Sequence, residues 1–388
     1  MPSFTPKKMT SLLRSLTDRI VPTANDANAT KPGPDGFLTA KGTDALFPRT
    51  KAEVDGEDCL HDCETCTVQY PRKFSIDEDD KLYGEIKGWS RHILVATGKT
   101  DWVRDVEDEK GSVMEAVGKH GSAVEGGRLM LSASNIPTAS DFFGEGDGKG
   151  DYGRPTRVLL LPAFQWINGV TPGTVPNVIK SAINASSTNT QPINSSDTPS
   201  QTNGTLSSPA DLPSLASLQI SAKSLPEGVS LSSCPHRYLI LICSQATRDA
   251  RCGQTAPLLK RELERHLRPL GMFRDLGDER PGGVGIYFIS HVGGHKYSAN
   301  MLVYRRAERP MTVAEQMENG TSAGVGGMVG GKAKAEEEGE AAQCIWLARV
   351  RPEECENIVR FTVLQGKVVK PERQLRGGFD REKGIVSW

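Results

Sequence analysis

Cys243 and Cys252 bracket the run CSQATRDARC, and His291 and His295 stand in HVGGHKYSAN. A thiol ligates a metal as the thiolate and an imidazole does so as the neutral base, so these two pairs make a four-donor set. Gly293 and Gly294 between the histidines would each cost a helix about 1 kcal/mol. The i, i+4 histidine face of a helical zinc site is therefore not the geometry, and the pair belongs on a loop free to wrap closely. Two thiolates with two imidazoles is the ligand set of Rieske-type 2Fe-2S centres, which transfer electrons. A structural Cys2His2 zinc site is the nearest alternative, but its cysteines usually lie closer together than a C-x8-C spacing allows. Taken singly, Cys243 reads as a core thiol and each histidine as a loop residue.

A second group of thiols is Cys59, Cys63 and Cys66, with His61 among them, in CLHDCETC. C-x3-C-x2-C also occurs in radical enzymes that bind a 4Fe-4S cluster and S-adenosylmethionine. Those enzymes usually place an aromatic residue before the third cysteine, where Thr65 stands here, and they need a βα barrel around the motif. Three readings remain: a redox-active dithiol of Cys63 and Cys66, a zinc site completed by His61, or reduced thiols on a polar loop. Cys234, Cys344 and Cys355 read as structural. His92, His120, His236 and His266 have no partner at metal spacing and read as surface or strand-edge histidines. The glycine-rich runs at 144–153 and 324–331 do not join a strand to a helix, as a phosphate-binding loop must.

The ligand pairs need strands to bring them together. Arg237 to Cys243 (RYLILIC) is a continuous apolar run suited to a central strand, and Val284 to Ser290 (VGIYFIS) is another. Each ends at a ligand pair, and strand ends are where α/β folds place their sites. A helix is expected from Pro257 to Leu267, strands at Met301 to Tyr304 and Cys344 to Val350, and a helix from Pro352, whose Glu353 and Glu354 suit its N-terminal dipole. The resulting β-α-β-β-α order predicts a thioredoxin-like domain over residues 231–388, with a low-complexity insertion at 318–342. Upstream, strands at Arg91 to Thr97, Arg128 to Ser132 and Arg157 to Pro162, with a helix from Asp101 to Gly118, predict a smaller α/β unit over 47–183, an incomplete thioredoxin-like one. Residues 184–230 hold a run of Ser, Thr, Asn, Pro and Gln that cannot bury enough apolar surface to order itself, and they read as a disordered linker.

The whole chain is thus α/β with two folded units, and 388 residues suffice for two cores. A net charge of −1 supplies no field for nucleic acid. No apolar run approaches the roughly 18 residues of a spanning helix, which predicts no membrane span. Eight cysteines are too few for a disulfide scaffold in a chain of this length. Residues 1–46 read as a tether headed by a transit-like segment. Met9, Leu12, Leu13, Leu16 and Ile20 fall at helical spacing among Lys7, Lys8, Arg14 and Arg19, which predicts mitochondrial import, with a cytosolic protein as the alternative.

The strand, C-x8-C and helix order, with a second ligand pair spaced by three after a later strand, resembles the thioredoxin-like 2Fe-2S ferredoxins, with H-x3-H in place of C-x3-C. With CSQATRDARCG and HVGGHKYSAN, roughly residues 47–388 are similar to the sucrase/ferredoxin-like family of fungi, of the altered inheritance of mitochondria protein 32 type. The resemblance implies a 2Fe-2S cluster with one iron on Cys243 and Cys252 and the other on His291 and His295. It implies an electron carrier rather than a substrate-transforming enzyme, with a protein electron donor and acceptor. No pair of carboxylates stands in the roles that glycoside hydrolysis requires. A thiol-disulfide oxidoreductase using the N-terminal cysteines and a zinc-stabilised interaction module are the rival functions. Val386-Ser387-Trp388 resembles the tail by which clients engage the iron-sulfur assembly machinery, or else Trp388 packs on the domain.

Overall fold

The structure, a computed structural model, describes residues 32–33, 35–138, 152, 154–193, 225–307 and 339–388. Thirteen strands among these residues form one mixed sheet, so the fold is α/β. The first is β1 (Leu38–Thr39), followed by β2 (Arg91–Ala96), β3 (Leu129–Ser134), β4 (Thr156–Leu161), β5 (Gln165–Val170) and β6 (Ser230–Ser233). The remainder are β7 (Tyr238–Cys243), β8 (Phe273–Arg274), β9 (Val284–Ile289), β10 (Met301–Arg306), β11 (Ala341–Leu347), β12 (Leu375–Asp380) and β13 (Ile385–Val386). Their order is β1-β13-β12-β11-β10-β7-β9-β3-β2-β4-β5-β6, with β8 beside β9.

That order contains the same connectivity twice. In one half β2 and β3 are parallel, β4 runs antiparallel to β2, and β5 to β4. In the other β7 and β9 are parallel, β10 runs antiparallel to β7, and β11 to β10. The halves meet edge to edge, antiparallel, at Ser134 and Ile289. Few backbone bonds cross this seam, and side chains reinforce it: Ser134 Oγ donates to Phe288 O at 2.8 Å, and Phe288 N donates to Asn135 Oδ1 at 2.7 Å.

β7 shows why an unbroken apolar run sits at the centre of the sheet. Leu239, Ile240, Leu241 and Ile242 are all fully buried. Side chains alternate faces along a strand. Ile240 and Ile242 accordingly pack with Ala256, Leu259, Leu263 and Leu267 of helix α2 (Ala250–Leu267), while Leu239 and Leu241 pack with Trp89, Trp346 and Phe379 on the opposite face.

Several expectations shift. The helix from Asp101 to Gly118 is confined to α1 (Val113–His120), because Gly111 takes φ +74° and Ser112 then caps the helix through Glu115 N. The helix expected from Pro257 begins seven residues earlier, because Asp249 accepts from Arg251 N and caps α2. Strand β12 (LRGGFD) went unread because Gly377 and Gly378 disfavour a strand by propensity. Gly378 is required there, since a Cβ would lie 1.9 Å from Cys344 O.

The tether read over residues up to 46 is partly in the fold: Phe37 is buried and β1 pairs with β13. The stretch read as a linker from 184 also begins inside it, with Ser186 to Asn189 buried. Its last residue, Ser230, opens β6, which joins the sheet beside β5. Residues 194–224, the insertion up to 338 and the transit-like segment lie outside the described residues. Among the described residues, no helix is long and apolar enough to cross a membrane.

Candidate metal centre

The parallel register of β7 and β9 brings the two ligand motifs side by side. Cys243 is the last residue of β7 and pairs with Ile289, two residues before His291. Cys252 sits in the first turn of α2 rather than on a loop, and the turn carries it back over the end of β7. Ligand atoms of Cys243, Cys252 and His291 all lie within 4.8 Å of one another, and Cys243 Sγ is 3.7 Å from His291 Nδ1. Both thiols are fully buried and the imidazole is half-buried. His295 opens the turn His295–Tyr297 in the same loop. Its side chain lies outside the described residues.

A hydrogen bond joins the two thiols. Donating its proton to Cys252, together with burial, pushes Cys243 well up, while accepting that hydrogen bond, together with His291 and Ser298, draws Cys252 down against its own burial. One thiolate, at Cys252, is therefore favoured, and the thiolate is the form of cysteine that could ligate a metal.

Positioning comes from both halves of the sheet. His291 N donates to Gln245 Oε1 at 2.8 Å, and Gln245 Nε2 donates to the carbonyl of Trp102 at 3.4 Å. Ser244 Oγ donates to Thr100 O, and Thr247 to both oxygens of Asp101. The loop after β2 thus braces the ligand loop after β7. On the other side, Asp77 N donates to Lys296 O, and Tyr297 Oη to Lys81 O.

Arg376, on β12, was not picked out from the sequence. Its Nη1 donates to Gly293 O at 2.8 Å and to Asn300 Oδ1 at 3.0 Å, its Nη2 donates to Glu85 O, and its guanidinium lies 4.6 Å from the centre of the Trp346 ring. Burial pushes this group down to about 10, which leaves it protonated at neutral pH. Gly294 takes φ +66°, and a Cβ there would lie 2.4 Å from Arg376 Nη2, so glycine lets the loop close on the cation. Only tertiary structure could have shown this, because 82 residues separate Gly294 from Arg376. The nearer cations are committed elsewhere: Lys296 to Asp80, Arg251 to Asp249 and Arg248 to Arg104 O.

The N-terminal thiols divide. Cys59 is buried in the turn Glu57–Leu60, whereas Cys63 and Cys66 are half-buried on the following loop. His61 is exposed, and the imidazole that approaches Cys63 is that of His266. All eight cysteines are free thiols. His92 and His236, read as surface or strand-edge residues, are core residues bonded to Tyr304 and Tyr287. Trp388 packs against Trp89 at 4.6 Å between ring centres, with Thr39 Oγ1 bonded to its carbonyl oxygen.

Residues 82–377 match the sucrase/ferredoxin-like family, a span that holds both ligand motifs, both halves of the sheet core and Arg376. The chain belongs to this family. It is 29% identical over 288 residues to actin patches distal protein 1 of Saccharomyces cerevisiae, covering 69% of this chain and 80% of that protein. It is also 29% identical over 135 residues to altered inheritance of mitochondria protein 32 of Clavispora lusitaniae, and 26% identical over 132 residues to that of Debaryomyces hansenii. Those matches cover 35% and 34% of this chain and 33% of each relative, so the chain aligns with a third of those proteins' length. No solved structure matches the chain significantly.

Proposed function

We propose that this member of the sucrase/ferredoxin-like family is a one-electron carrier holding a 2Fe-2S cluster on Cys243, Cys252, His291 and His295. The observation that carries the reading is the convergence of Cys243, Cys252 and His291 at the ends of two adjacent parallel strands. The donor set fits the group: two buried thiols, one of them favoured as thiolate, and an imidazole at the surface side. Arg376 Nε is buried without a hydrogen-bond partner among the described residues, which leaves a donor beside the site uncommitted. When bound, the cluster supplies a site that takes up and releases a single electron.

The chain's own residues hold that site rigid and dry. Gln245 fixes the backbone of His291, Arg376 fixes the glycines that follow it, and burial of Cys243 and Cys252 excludes water. His291 lines a cleft of about 830 Å³ with Gly293, Gly294, Arg248 and Gln245, and the cleft gives donor and acceptor proteins access to the imidazole edge. The order β11-β10-β7-β9 with α2 between β7 and β9 supports a thioredoxin-like description of this half. The relatives' names point to mitochondrial inheritance and to actin patches. We assign the chain to mitochondria through its transit-like segment, and fractionation of cells carrying a C-terminally labelled chain tests this against a cytosolic location.

Iron and acid-labile sulfide analysis of anaerobically purified full-length protein tests the function. About two of each per chain, with visible absorption bleached by dithionite, is the expected result. Zinc without sulfide on Cys243 and Cys252 would overturn it.

A further inference from the structure

A second set of side chains of metal-ligating type lies on the loop after Cys59, on the last turn of α2 and on the helical segment that follows Pro352. Cys63, His266 and Glu356 place one ligand atom each within 4.8 Å of one another. Cys66 belongs to the same corner: its N–H bonds to Cys63 O, and its thiol feels the charges of Glu262 and Cys63. Glu262, one turn before His266, has a carboxylate that is 2% exposed and lies 3.9 Å from the His266 imidazole.

This corner already holds a cation. The Arg265 guanidinium donates to Glu262 Oε2 at 2.8 Å and to Cys63 Sγ at 3.2 Å, and its Nη2 lies 3.1 Å from His266 Nε2. Thiol, imidazole and carboxylate thus converge on a single positive charge, on a side chain 39% exposed and able to swing out. A cavity of about 340 Å³, lined by Cys63, Cys66, Tyr70, Phe74, Arg351 and Glu353, opens the thiols to solvent and provides an entry path.

We propose that Cys63, Cys66, His266 and Glu356 form a tetrahedral site for a thiophilic divalent cation of the zinc type, which takes the place of the Arg265 guanidinium. Cysteine, histidine and carboxylate are zinc's ordinary ligands, and Cys63-x2-Cys66 has the spacing of a zinc knuckle. Bonds of roughly 2.0–2.3 Å place tetrahedral donors about 3.3–3.8 Å apart, so Cys63, His266 and Glu356 close by about 1 Å, while Cys66 gives up its hydrogen bond to Val68 O and turns in as the fourth ligand. The ion would fasten the loop after Cys59 to α2 and to the helical segment, joining three parts of the chain without adding to the sheet. The two sites have no ligand in common, although α2 carries Cys252 in its first turn and His266 in its last.

The test titrates anaerobically reduced full-length protein with Co2+ and then Zn2+. It is run with the iron site filled and again in a Cys243→Ser/Cys252→Ser background, so that its outcome does not depend on the proposed cluster. One tetrahedral cobalt-thiolate spectrum per chain, displaced by zinc in both backgrounds, is expected. It should be lost in Cys63→Ser/Cys66→Ser and kept in Cys59→Ser. Should the double variant fail to fold, Arg265→Met decides. Removing the competing guanidinium, whose hydrogen bonds to charged groups contribute about 1.4 kcal/mol or more, should tighten Co2+ binding by roughly tenfold. Failure of the full-length protein to bind Co2+ stoichiometrically, binding that survives Cys63→Ser/Cys66→Ser, or unchanged affinity in Arg265→Met would each overturn the proposal.

Discussion

Replacing Arg376 with Met separates what this side chain does by charge from what it does by hydrogen bonding. The guanidinium is the buried cation of the site loop and remains protonated at neutral pH. At an effective dielectric constant of about 20, Coulomb's law gives about 1.8 kcal/mol for unit charges roughly 9 Å apart, or about 80 mV for one electron, and the effect varies inversely with the separation from the proposed cluster. A positive charge favours the reduced form, so Arg376→Met should lower the potential by an amount of that order. The substitution also orphans the carbonyls of Gly293 and Glu85, whereas Asn300 Oδ1 keeps its bond from Trp346 Nε1. Both acceptors are only partly buried and line the open cleft, where water can replace the lost donor, so losing the two bonds should cost roughly 1–2 kcal/mol of stability. Arg376→Lys restores the charge without the fork, so it should recover most of the potential and little of the stability. Protein-film voltammetry reads the first quantity and urea unfolding the second. A potential unchanged in Arg376→Met, with the cluster retained, would refute the electrostatic argument.

Cys243→Ser and Cys252→Ser should abolish the iron-sulfur absorption, whereas His291→Cys should retain a cluster with an altered spectrum; a wild-type spectrum in His291→Cys would exclude histidine ligation. The potential should lie above the roughly −400 mV of plant-type all-cysteine ferredoxins, because neutral imidazoles leave the cluster less negative. It should also fall as pH rises into the alkaline range, where oxidised iron promotes loss of the outer imidazole proton. A pH-independent potential near the all-cysteine value in a voltammetric titration would count against two histidines. In the core, burial holds His92 down to about 3, between Tyr304 Oη and Ser132 Oγ. A histidine that protonates when unfolded but not when folded loses stability as pH falls below its unfolded value near 6.5, by about 2 kcal/mol at pH 5. His92→Gln should remove that part of the acid sensitivity, seen as a smaller drop in urea midpoint between pH 7 and pH 5.

The sequence alone determined the strands β7 and β9 and the cysteine and histidine pairs that stand at or after their ends. An apolar run such as YLILIC is long enough to be read as buried on both faces, and the residue type at its end is a local fact. Propensity failed where glycine serves packing, as at Gly377 and Gly378 of β12, and where a cap sets a boundary, as at Ser112 and Asp249. It also failed where a segment of tether-like composition acquires order from a distant partner, as Leu38 and Thr39 do from β13. What the tertiary structure alone decided is which distant groups share a site. The register of β7 and β9 brings Cys243 to His291, β12 brings Arg376 to Gly293, and the packing of α2 brings His266, rather than His61, to Cys63. Composition and periodicity carry local propensity. Convergence of side chains remote in sequence follows from pairing and packing, which a linear pattern does not contain.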